Sequence, residues 1–441
     1  MTKCTAAERT QHLLALEPAL ARPSAKNLAN GSKNKLLAED RAAHGWYRFV
    51  LSFPPQLVRE YLEHAALREN GLVLDPFCGT GTTLVECKKR GVRSIGFEAH
   101  PMAAFASEVK TSWGVDPAGL SKHARAVAEA TQDLLEARTK TLRRLPDEAY
   151  KLLLKDSISP LPLHKTLVLL DQLRAQSQSP YHRHELLALA NALVSDIGNL
   201  HFGPEVGVGV IKEDAPVVDL WLRNVLAMAS DLKHLRSCDG VSSRVWCHDS
   251  RAMLSELPDG TVDAVITSPP YPNEKDYTRT TRLETVILGL VQDRQGLRKL
   301  KQGLLRSNTR NVYKSDDDDR WVEAFDEITK IAEGIEARRI ALGKTSGFER
   351  QYARVTKMYF GGIARHFADL RRVLRPGARL AYVVGDQASF LRVMIRTGRL
   401  LAQIAESLGY QTERIDLFRT RLSTTTREQL REEIVVFSWP G

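Results

Sequence analysis

The feature that most limits how this chain can fold is a strand–loop–helix–strand unit in its first quarter. A short apolar run, Leu72–Asp75, ends in an acid and enters a turn that contains Gly79 and Gly81, after which the pattern predicts a helix. The next apolar run, 94–98, again ends in an acid, Glu98. In a parallel β–α–β unit both strand ends lie at one edge of the sheet. The sequence therefore predicts an α/β fold with a ligand site at that edge.

The same unit narrows the class of ligand. Glycines let the backbone approach a ligand closely, and the helix that begins near Thr82 offers unpaired N–H groups to an anion. An acid about 20 residues beyond the glycines is placed to accept hydrogen bonds from ribose hydroxyls. No third glycine completes a dinucleotide fingerprint, and no Gly-Lys-Ser/Thr closes a P-loop. These residues predict a nucleoside-bearing cofactor that lacks a pyrophosphate.

A second informative stretch is Thr267-Ser268-Pro269-Pro270-Tyr271, which follows the apolar run Val262–Ile266. Proline fixes φ and has no N–H donor, and the residue before each proline is held extended. The chain thus leaves a buried strand through a stiff turn, at the place where open α/β sheets bind ligands. Taken alone, the five residues fit an ordinary strand-ending loop with a packed tyrosine equally well.

The α/β alternation is interrupted twice. From 116 to 240 strand signals are scarce, and helices are predicted on either side of a glycine-rich loop at 202–212. The second interruption, 272–355, interleaves basic and aromatic residues, which suits contact with nucleic acid. Its acidic run, Asp316–Asp319, is predicted to be a solvated loop.

Composition limits the setting and the partners. The formal charge of +10 over 441 residues favours a polyanionic partner. No apolar run approaches about 18 residues and the first residues lack a hydrophobic signal core, so a cytoplasmic location without membrane contact is expected. The five cysteines are odd in number and lack C-x-x-C spacing, which predicts reduced thiols and no metal site.

Asp75-Pro76-Phe77-Cys78-Gly79-Thr80-Gly81-Thr82-Thr83 and Thr267–Tyr271 together resemble the two signature motifs of a known enzyme family. This family is the S-adenosylmethionine-dependent DNA amino-methyltransferases, which methylate N4 of cytosine or N6 of adenine. The resemblance covers residues 44–110 and 241–441. It implies a Rossmann-like class I methyltransferase fold, α/β, with a mixed, mostly parallel seven-stranded sheet and a largely helical insertion. It also implies S-adenosyl-L-methionine as cofactor, double-stranded DNA as substrate and a cognate restriction endonuclease as a candidate partner.

With this resemblance, the chain is predicted to comprise four segments. Residues 1–40 form a loosely ordered basic arm, and 41–115 form the cofactor-binding half of the methyltransferase domain. Residues 116–240 form a helical insertion that is a candidate target-recognition region. Residues 241–441 form the catalytic half, which contains the second insertion at about 272–355.

The resemblance further implies roles for individual residues. The predicted cofactor-binding residues match the family's cofactor loop, its ribose-binding acid and the segments beside methionine and adenine: Phe53, Pro54, Asp75, Phe77, Gly79, Gly81, Thr82, Glu98, Asp249 and Ser250. The predicted catalytic residues are those of the second motif: Ser268, Pro269, Pro270 and Tyr271. Candidate substrate contacts come from the basic and aromatic residues of the two interruptions: Lys212, Lys275, Tyr277 and Arg279.

These residue types suit direct methyl transfer to an exocyclic amine. The amine lone pair is delocalised into the base, so the nitrogen is a poor nucleophile until it is bent out of plane. The Ser268 side chain and the Pro269 carbonyl can accept hydrogen bonds from the amino hydrogens and favour that geometry. Tyr271 can stack on a base that has been flipped out of the duplex. The absence of a Pro-Cys turn argues against carbon-5 methylation, which requires a thiolate.

Several functions stay open on the sequence. Serine at the first position of the catalytic turn favours cytosine N4 over adenine N6, although chemistry alone does not exclude adenine. An RNA amino-methyltransferase acting on guanine N2 or adenine N6 is a second reading, disfavoured because no RNA-binding module is visible. A nucleic-acid-binding protein with an inactive methyltransferase fold is a third, disfavoured by the intact Asp75, Glu98 and Ser268–Tyr271.

Overall fold

The structure, a computed structural model, describes part of the 441-residue chain: 36–48, 52–137, 141–203, 205–252, 257–272, 276–422 and 428–441. Most of the predicted basic arm lies outside the described residues. Among those residues no helix combines the length and apolar character that crossing a bilayer requires. Within the same ranges no cluster of three or more His, Cys, Asp or Glu side chains is arranged to hold a metal ion.

The strands of the described residues form one large sheet and one small hairpin. In chain order they are β1 (Leu72–Asp75), β2 (Arg93–Phe97), β3 (Leu200–Phe202), β4 (Val206–Val208), β5 (Ser243–Trp246), β6 (Val262–Thr267), β7 (Leu374–Gly385), β8 (Gln411–Leu422) and β9 (Gln429–Trp439). The large sheet has the order β5-β2-β1-β6-β7-β9-β8, and β3 pairs with β4 alone.

Helices cover both faces of the sheet and build the insertions. The longer ones are α1 (Pro55–His64), α2 (Thr82–Lys89), α3 (Pro101–Lys110), α4 (Pro117–Glu136), α5 (Pro160–Ala175), α6 (His182–Ala192), α7 (Val217–Leu235), α8 (Arg294–Gly303), α9 (Asp326–Ala341), α10 (Tyr352–Leu370) and α11 (Thr397–Ser407). Shorter helical segments are Arg41–His44, Asp147–Tyr150, Tyr277–Thr280 and Arg282–Ile287, with a π-helical turn at Leu193–Ile197.

The strand order and directions confirm the predicted fold class. β5, β2, β1, β6 and β7 run parallel, whereas β9 is antiparallel to both of its neighbours, β7 and β8. Setting the hairpin aside, this is the mostly parallel seven-stranded sheet of the Rossmann-like class I methyltransferase fold. The order reverses between β1 and β6, so the carboxyl ends of these strands flank the crevice where such sheets bind ligands.

Alternation along the strands explains why both faces of the sheet are covered. In β7, Leu380 and Tyr382 pack with α10 and α11. Their neighbours Ala381 and Val383 instead pack with Leu57 and other apolar residues of α1. Successive side chains of a strand point to opposite faces, and a parallel sheet needs an apolar layer on each.

The first insertion shares a core with the cofactor-binding half. Met102 and Val109 of α3 lie in the same apolar cluster as Leu170 of α5 and Trp221 of α7, and Trp221 is fully buried. The insertion is largely helical, as predicted. The glycine-rich loop predicted at 202–212 is instead partly a β-hairpin, because β3 and β4 pair antiparallel around the glycines.

The acidic run of the second insertion is not a solvated loop, so that prediction is wrong for two of its members. Asp318 is buried and accepts hydrogen bonds from Arg251 and Arg365. Asp316 accepts two hydrogen bonds from Arg306, at 2.7 and 2.8 Å. A buried carboxylate is tolerated when a guanidinium pairs with it and satisfies its oxygens. Arginine pairing therefore draws the run inward.

Two glycines on neighbouring helices test this packing. A Cβ at Gly361 of α10 would clash with the backbone carbonyl of Asp318, whereas a Cβ at Gly334 of α9 would meet no atom within 4 Å. Alanine gains about 1 kcal/mol over glycine within a helix, but overpacking costs about 1–3 kcal/mol. We expect Gly361→Ala to lower the thermal unfolding midpoint and Gly334→Ala to raise it. Equal stabilisation by both substitutions would contradict the close approach of Asp318.

Candidate functional site

A cavity of about 1060 Å³, its open mouth included, lies at the carboxyl ends of β1, β2, β5 and β6. It is lined by ten of the residues predicted from the sequence: Phe53, Phe77, Gly79, Thr82, Glu98, Asp249, Ser250, Ser268, Pro270 and Tyr277. Residues of both motifs thus meet in the wall of one cavity. Its size falls near the upper end of the roughly 300–1,000 Å³ typical of small-molecule sites.

The turn after β1 holds the acid that follows β2. Gly79, with φ of +51°, donates its N–H to Glu98 Oε2 at 2.9 Å, and His100 donates its N–H to Oε1 at 2.7 Å. Each carboxylate oxygen has two lone pairs, so one on each oxygen is left for a ligand. Gly81 has φ of +83°, and a Cβ there would clash with Ser107. Both glycines are thus required by backbone geometry, and Gly79 leaves open space beside it.

Asp75 joins the two motifs from below the cavity rather than lining it. Its Oδ1 accepts a hydrogen bond from the Thr267 hydroxyl at 2.6 Å and from the Phe77 N–H at 3.1 Å. Desolvation raises the pKa of this buried carboxyl to about 6, against the hydrogen bonds that lower it. Among the described residues Oδ2 has no hydrogen-bond partner. A buried acceptor of this kind calls for a donor from a ligand or a water molecule.

The turn predicted to be catalytic is anchored on β7 and β9. Ser268 donates its hydroxyl hydrogen to the carbonyl oxygen of Val383 at 3.2 Å. Tyr271 lies against Gly385, where a Cβ would meet its ring at 2.7 Å, and donates a hydrogen bond to Glu432 at 2.9 Å. Tyr271, Pro54 and Pro269 adjoin the cavity residues in sequence without lining the cavity themselves.

The three remaining candidate substrate contacts lie apart from the cavity wall or outside the described residues. The Lys212 ammonium donates to the carbonyls of Asp196 and Gly198, at 2.6 and 2.7 Å, and so caps the π-helical turn. These bonds give Lys212 a structural role, and its contact with substrate stays a prediction. Arg279 reaches the carbonyl of Val206 in the hairpin at 3.5 Å. Lys275 lies outside the described residues.

One wall of the cavity was not predicted, because it comes from the second insertion. The segment that follows α8 contributes a group of neighbouring lining residues: Gly303, Leu304, Leu305, Ser307, Asn308 and Asn311. Asn311 is buried and donates its amide to the Leu305 carbonyl at 3.3 Å, but its Oδ1 has no partner among the described residues. No sequence motif marks this segment.

An ion-paired chain fixes that wall to the sheet. Arg251, just after β5, donates to both carboxylate oxygens of Asp249 and also to Asp318 of the second insertion. Arg251 is buried, and these carboxylates raise its already high pKa despite desolvation. Removing one partner of a buried pair leaves an uncompensated charge, so the insertion is held firmly beside Asp249.

Known proteins similar to this chain agree with the geometry. A family model described as DNA methylase, for N6 and N4 methyltransferases, matches residues 24–107. The type II methyltransferase M.BsoBI of Geobacillus stearothermophilus is 25% identical over 91% of this chain and 86% of its own length. The type II methyltransferase M.AvaI of Nostoc sp. is 23% identical over 98% of this chain and 92% of its own length. These similarities support an amino-methyltransferase of the N4/N6 family.

Solved structures give a weaker likeness to this chain. The rRNA methyltransferase aviRa of Streptomyces viridochromogenes is 12% identical, with a TM-score of 0.30 over 88% of this chain and 85% of its own. So loose a superposition carries no argument, and the fold assignment rests on the strand order instead.

S-adenosyl-L-methionine is the cofactor of this family, and the residues of the cavity fit it. Glu98 offers carboxylate lone pairs to ribose hydroxyls, and Gly79 lets the backbone approach the ligand. Phe77 and Phe97 supply apolar lining for the adenosine part. Asn311, which lines the cavity, has no partner for its Oδ1 among the described residues, and this acceptor suits a ligand rich in N–H and O–H donors.

The burial of Glu98 gives a test in the absence of cofactor. Desolvation raises its pKa to about 7, against the lowering effect of the two backbone N–H groups. The protonated form of Glu98 contributes stability to the folded protein. This contribution is complete below the unfolded-state pKa of about 4.3, and it is lost as the pH rises through the folded-state pKa. Glu98→Gln removes this titration. We therefore expect the free energy of unfolding of the variant, minus that of the wild type, to rise by up to roughly 3 kcal/mol between those two pKa values.

The measurement is denaturant unfolding of both proteins across this pH window. Glu129→Gln on the exposed side of α4 is the matched control, because the same substitution there removes no buried carboxyl. A difference for Glu98→Gln that stays flat with pH would contradict the desolvated site.

Proposed function

We propose that the protein transfers the methyl group of S-adenosyl-L-methionine to N4 of a cytosine in double-stranded DNA, at a specific site. The observation that carries the proposal is the convergence of the Gly79–Glu98 contact and the Ser268–Pro270 turn on one cavity. The cofactor supplies an electrophilic methyl group on its sulfonium. The type II methyltransferases similar over almost the whole chain support a DNA substrate, as does the net charge of +10.

Ser268 is oriented to accept a hydrogen bond. Its own hydrogen is directed to the Val383 carbonyl, so the remaining lone pairs of Oγ are available to an amino hydrogen of the base. The Pro269 carbonyl adds a second acceptor on the same turn. Acceptors fixed in advance favour the amine geometry in which the nitrogen lone pair points at the methyl group, with no reorganisation during the reaction.

The position of the turn in the cavity wall supports base flipping. Ser268 is half-buried and lines the cavity at the carboxyl ends of the strands, whereas a base within a stacked duplex keeps its amine out of reach of such a wall. A base that reaches Ser268 must leave the stack, as in other enzymes that modify bases. Tyr271 packs on Gly385 and bonds to Glu432 outside the cavity wall, so it holds the end of the turn, and the base stacking expected of it is not part of the proposal.

Cytosine is proposed over adenine because the first residue of the turn is serine. A carboxylate at that position would be a stronger acceptor than a hydroxyl, and we take serine in its place to favour cytosine N4, as the resemblance of the turn implies. Adenine N6 is the second candidate, since the cavity and the turn place no group that rejects it.

Identification of the modified nucleoside tests the function. The purified protein is incubated with labelled S-adenosyl-L-methionine and separate DNA and RNA substrates, which are then digested to nucleosides. N4-methylcytosine from DNA is the expected product. N6-methyladenine would refute the base assignment, label only in RNA would refute the substrate, and no label in either would favour the inactive fold.

Ser268→Ala separates catalysis from binding. Loss of one fixed hydrogen-bonding group in an active site lowers kcat by about 10²–10³-fold, and we expect a loss of this order with cofactor affinity unchanged. Single-turnover methylation and calorimetric titration of the cofactor are the two measurements. Ser243→Ala, at the amino end of β5 and the opposite edge of the sheet, is the matched control and should leave both unchanged. Full activity of Ser268→Ala would remove the serine from the mechanism.

A further inference from the structure

We propose that residues 294–314 of the second insertion, here named the basic strip, bind the phosphate backbone of duplex DNA beside the cavity. This inference deepens the proposed function, on which the identity of the polyanion rests. It also assigns the DNA-binding surface to one of the two insertions.

The basic strip has an unusual charge pattern. Its 21 residues include seven Lys or Arg and no Asp or Glu. Two of these cations serve the fold, since Lys301 pairs with Asp276 at 3.2 Å and Arg306 pairs with the half-buried Asp316. The remaining ones are not required by any such buried pair.

All five remaining cations face solvent: Arg294, Arg298, Lys299, Arg310 and Lys314. Within the described part of the chain none of the five forms an ion pair. Unpaired cations concentrated on one short segment provide the sequence-independent attraction that phosphate groups recognise.

The packing of α8 explains why these side chains point outward. Leu297 and Leu300 pack against the apolar cluster that includes Leu152, Val286 and Val291. The helix thus turns its apolar side to the protein and leaves Arg298 and Lys299 on the solvent side, as in other amphipathic surface helices.

Aromatic rings order two of the exposed arginines. The Arg298 guanidinium lies 5.3 Å from the centre of the Tyr313 ring, which Arg306 also approaches at 5.7 Å. Arg310 lies 5.9 Å from the centre of the Phe348 ring. Guanidinium groups held on aromatic faces lose less conformational freedom when they bind phosphate.

Chain connectivity places the basic strip beside the reaction site. α8 ends at Gly303, which lines the cavity, and Arg310 lies between the lining residues Asn308 and Asn311. Phosphates bound by the strip therefore flank a base that has entered the cavity. This is the position in which backbone contacts set the register of the duplex.

The first insertion offers no comparable surface on its long helix α4. There Lys122 and Arg125 share the exposed side with Glu129, Asp133 and Glu136. Mixed charge is typical of a solvated helix face rather than of a phosphate-binding surface. The observations therefore favour the second insertion over the first.

The test is the salt dependence of binding to a fluorescently labelled duplex, measured by anisotropy with the full-length protein. The variant is Arg298→Gln/Lys299→Gln/Arg310→Gln. The matched control is Arg93→Gln/Arg244→Gln, which removes exposed arginines near the amino ends of β2 and β5, at the edge of the sheet opposite the cavity. Cofactor titration of each protein checks that the fold and the cavity are intact.

We expect the triple variant to bind the duplex at least about tenfold more weakly, because each phosphate contact changes the slope of log K against log salt by about 0.9. The slope should become shallower by roughly 2 to 3, with cofactor affinity unchanged and the control like wild type. An unchanged slope would overturn the proposal. The proposal would also be overturned if the variant bound RNA or a poly-glutamate peptide more weakly than the wild type does but kept its affinity for duplex DNA.

This experiment separates the basic strip from the proposed function. If the wild type binds the duplex through these residues but transfers no methyl group to DNA, the proposal for the basic strip is supported and the proposed function is refuted. If methyl transfer occurs and the slope is unchanged in the variant, the proposed function is supported and the proposal for the basic strip is refuted.

Discussion

The architecture depends on a buried hydrogen bond between the ends of β1 and β6. The Thr267 hydroxyl donates to Asp75 Oδ1 at 2.6 Å, and Thr267 is the residue before Ser268. Asp75 also accepts a hydrogen bond from the Phe77 N–H. One carboxylate therefore fixes both the start of the loop predicted to bind the cofactor and the start of the turn predicted to be catalytic. The bond crosses the point where strand order reverses, so the geometry between cofactor and acceptor is set by the sheet itself. Desolvation of the carboxylate is the cost of that link.

A second set of contacts joins the sheet to the second insertion, so that both parts of the chain form the cavity wall. Arg251 bridges Asp249 at the end of β5 to Asp318 of the second insertion, and Arg306 with Asp316 stiffens the same region. The sheet edge supplies the groups typical of the family, and the insertion supplies a wall and the basic strip. Residues proposed to hold the cofactor and residues proposed to meet DNA therefore lie on one short segment. Strengthening or loosening that segment is expected to affect both kinds of binding.

Sequence patterns sufficed where the cause is local. The strand at Val262–Ile266 and the glycine turn after β1 could be predicted, because burial selects apolar residues and positive φ selects glycine. The wall at 303–311 leaves no such mark, because its position depends on ion pairs between residues far apart in the chain, such as Arg251 and Asp318. The same cause misled the interpretation of the acidic run. The start of α4 does carry a local signal, because Asp116 accepts a hydrogen bond from the Gly119 N–H and Pro117 stands at the first helical position.

Hydrogen exchange with and without S-adenosyl-L-methionine tests the central claim, that the sheet edge and the second insertion form one cofactor cavity. The account predicts slower amide exchange in two segments at once, 77–82 after β1 and 303–311 after α8, with no change in the hairpin of β3 and β4. Both segments line the cavity, whereas the hairpin does not. Protection confined to 77–82, or absent from both segments, would contradict the account.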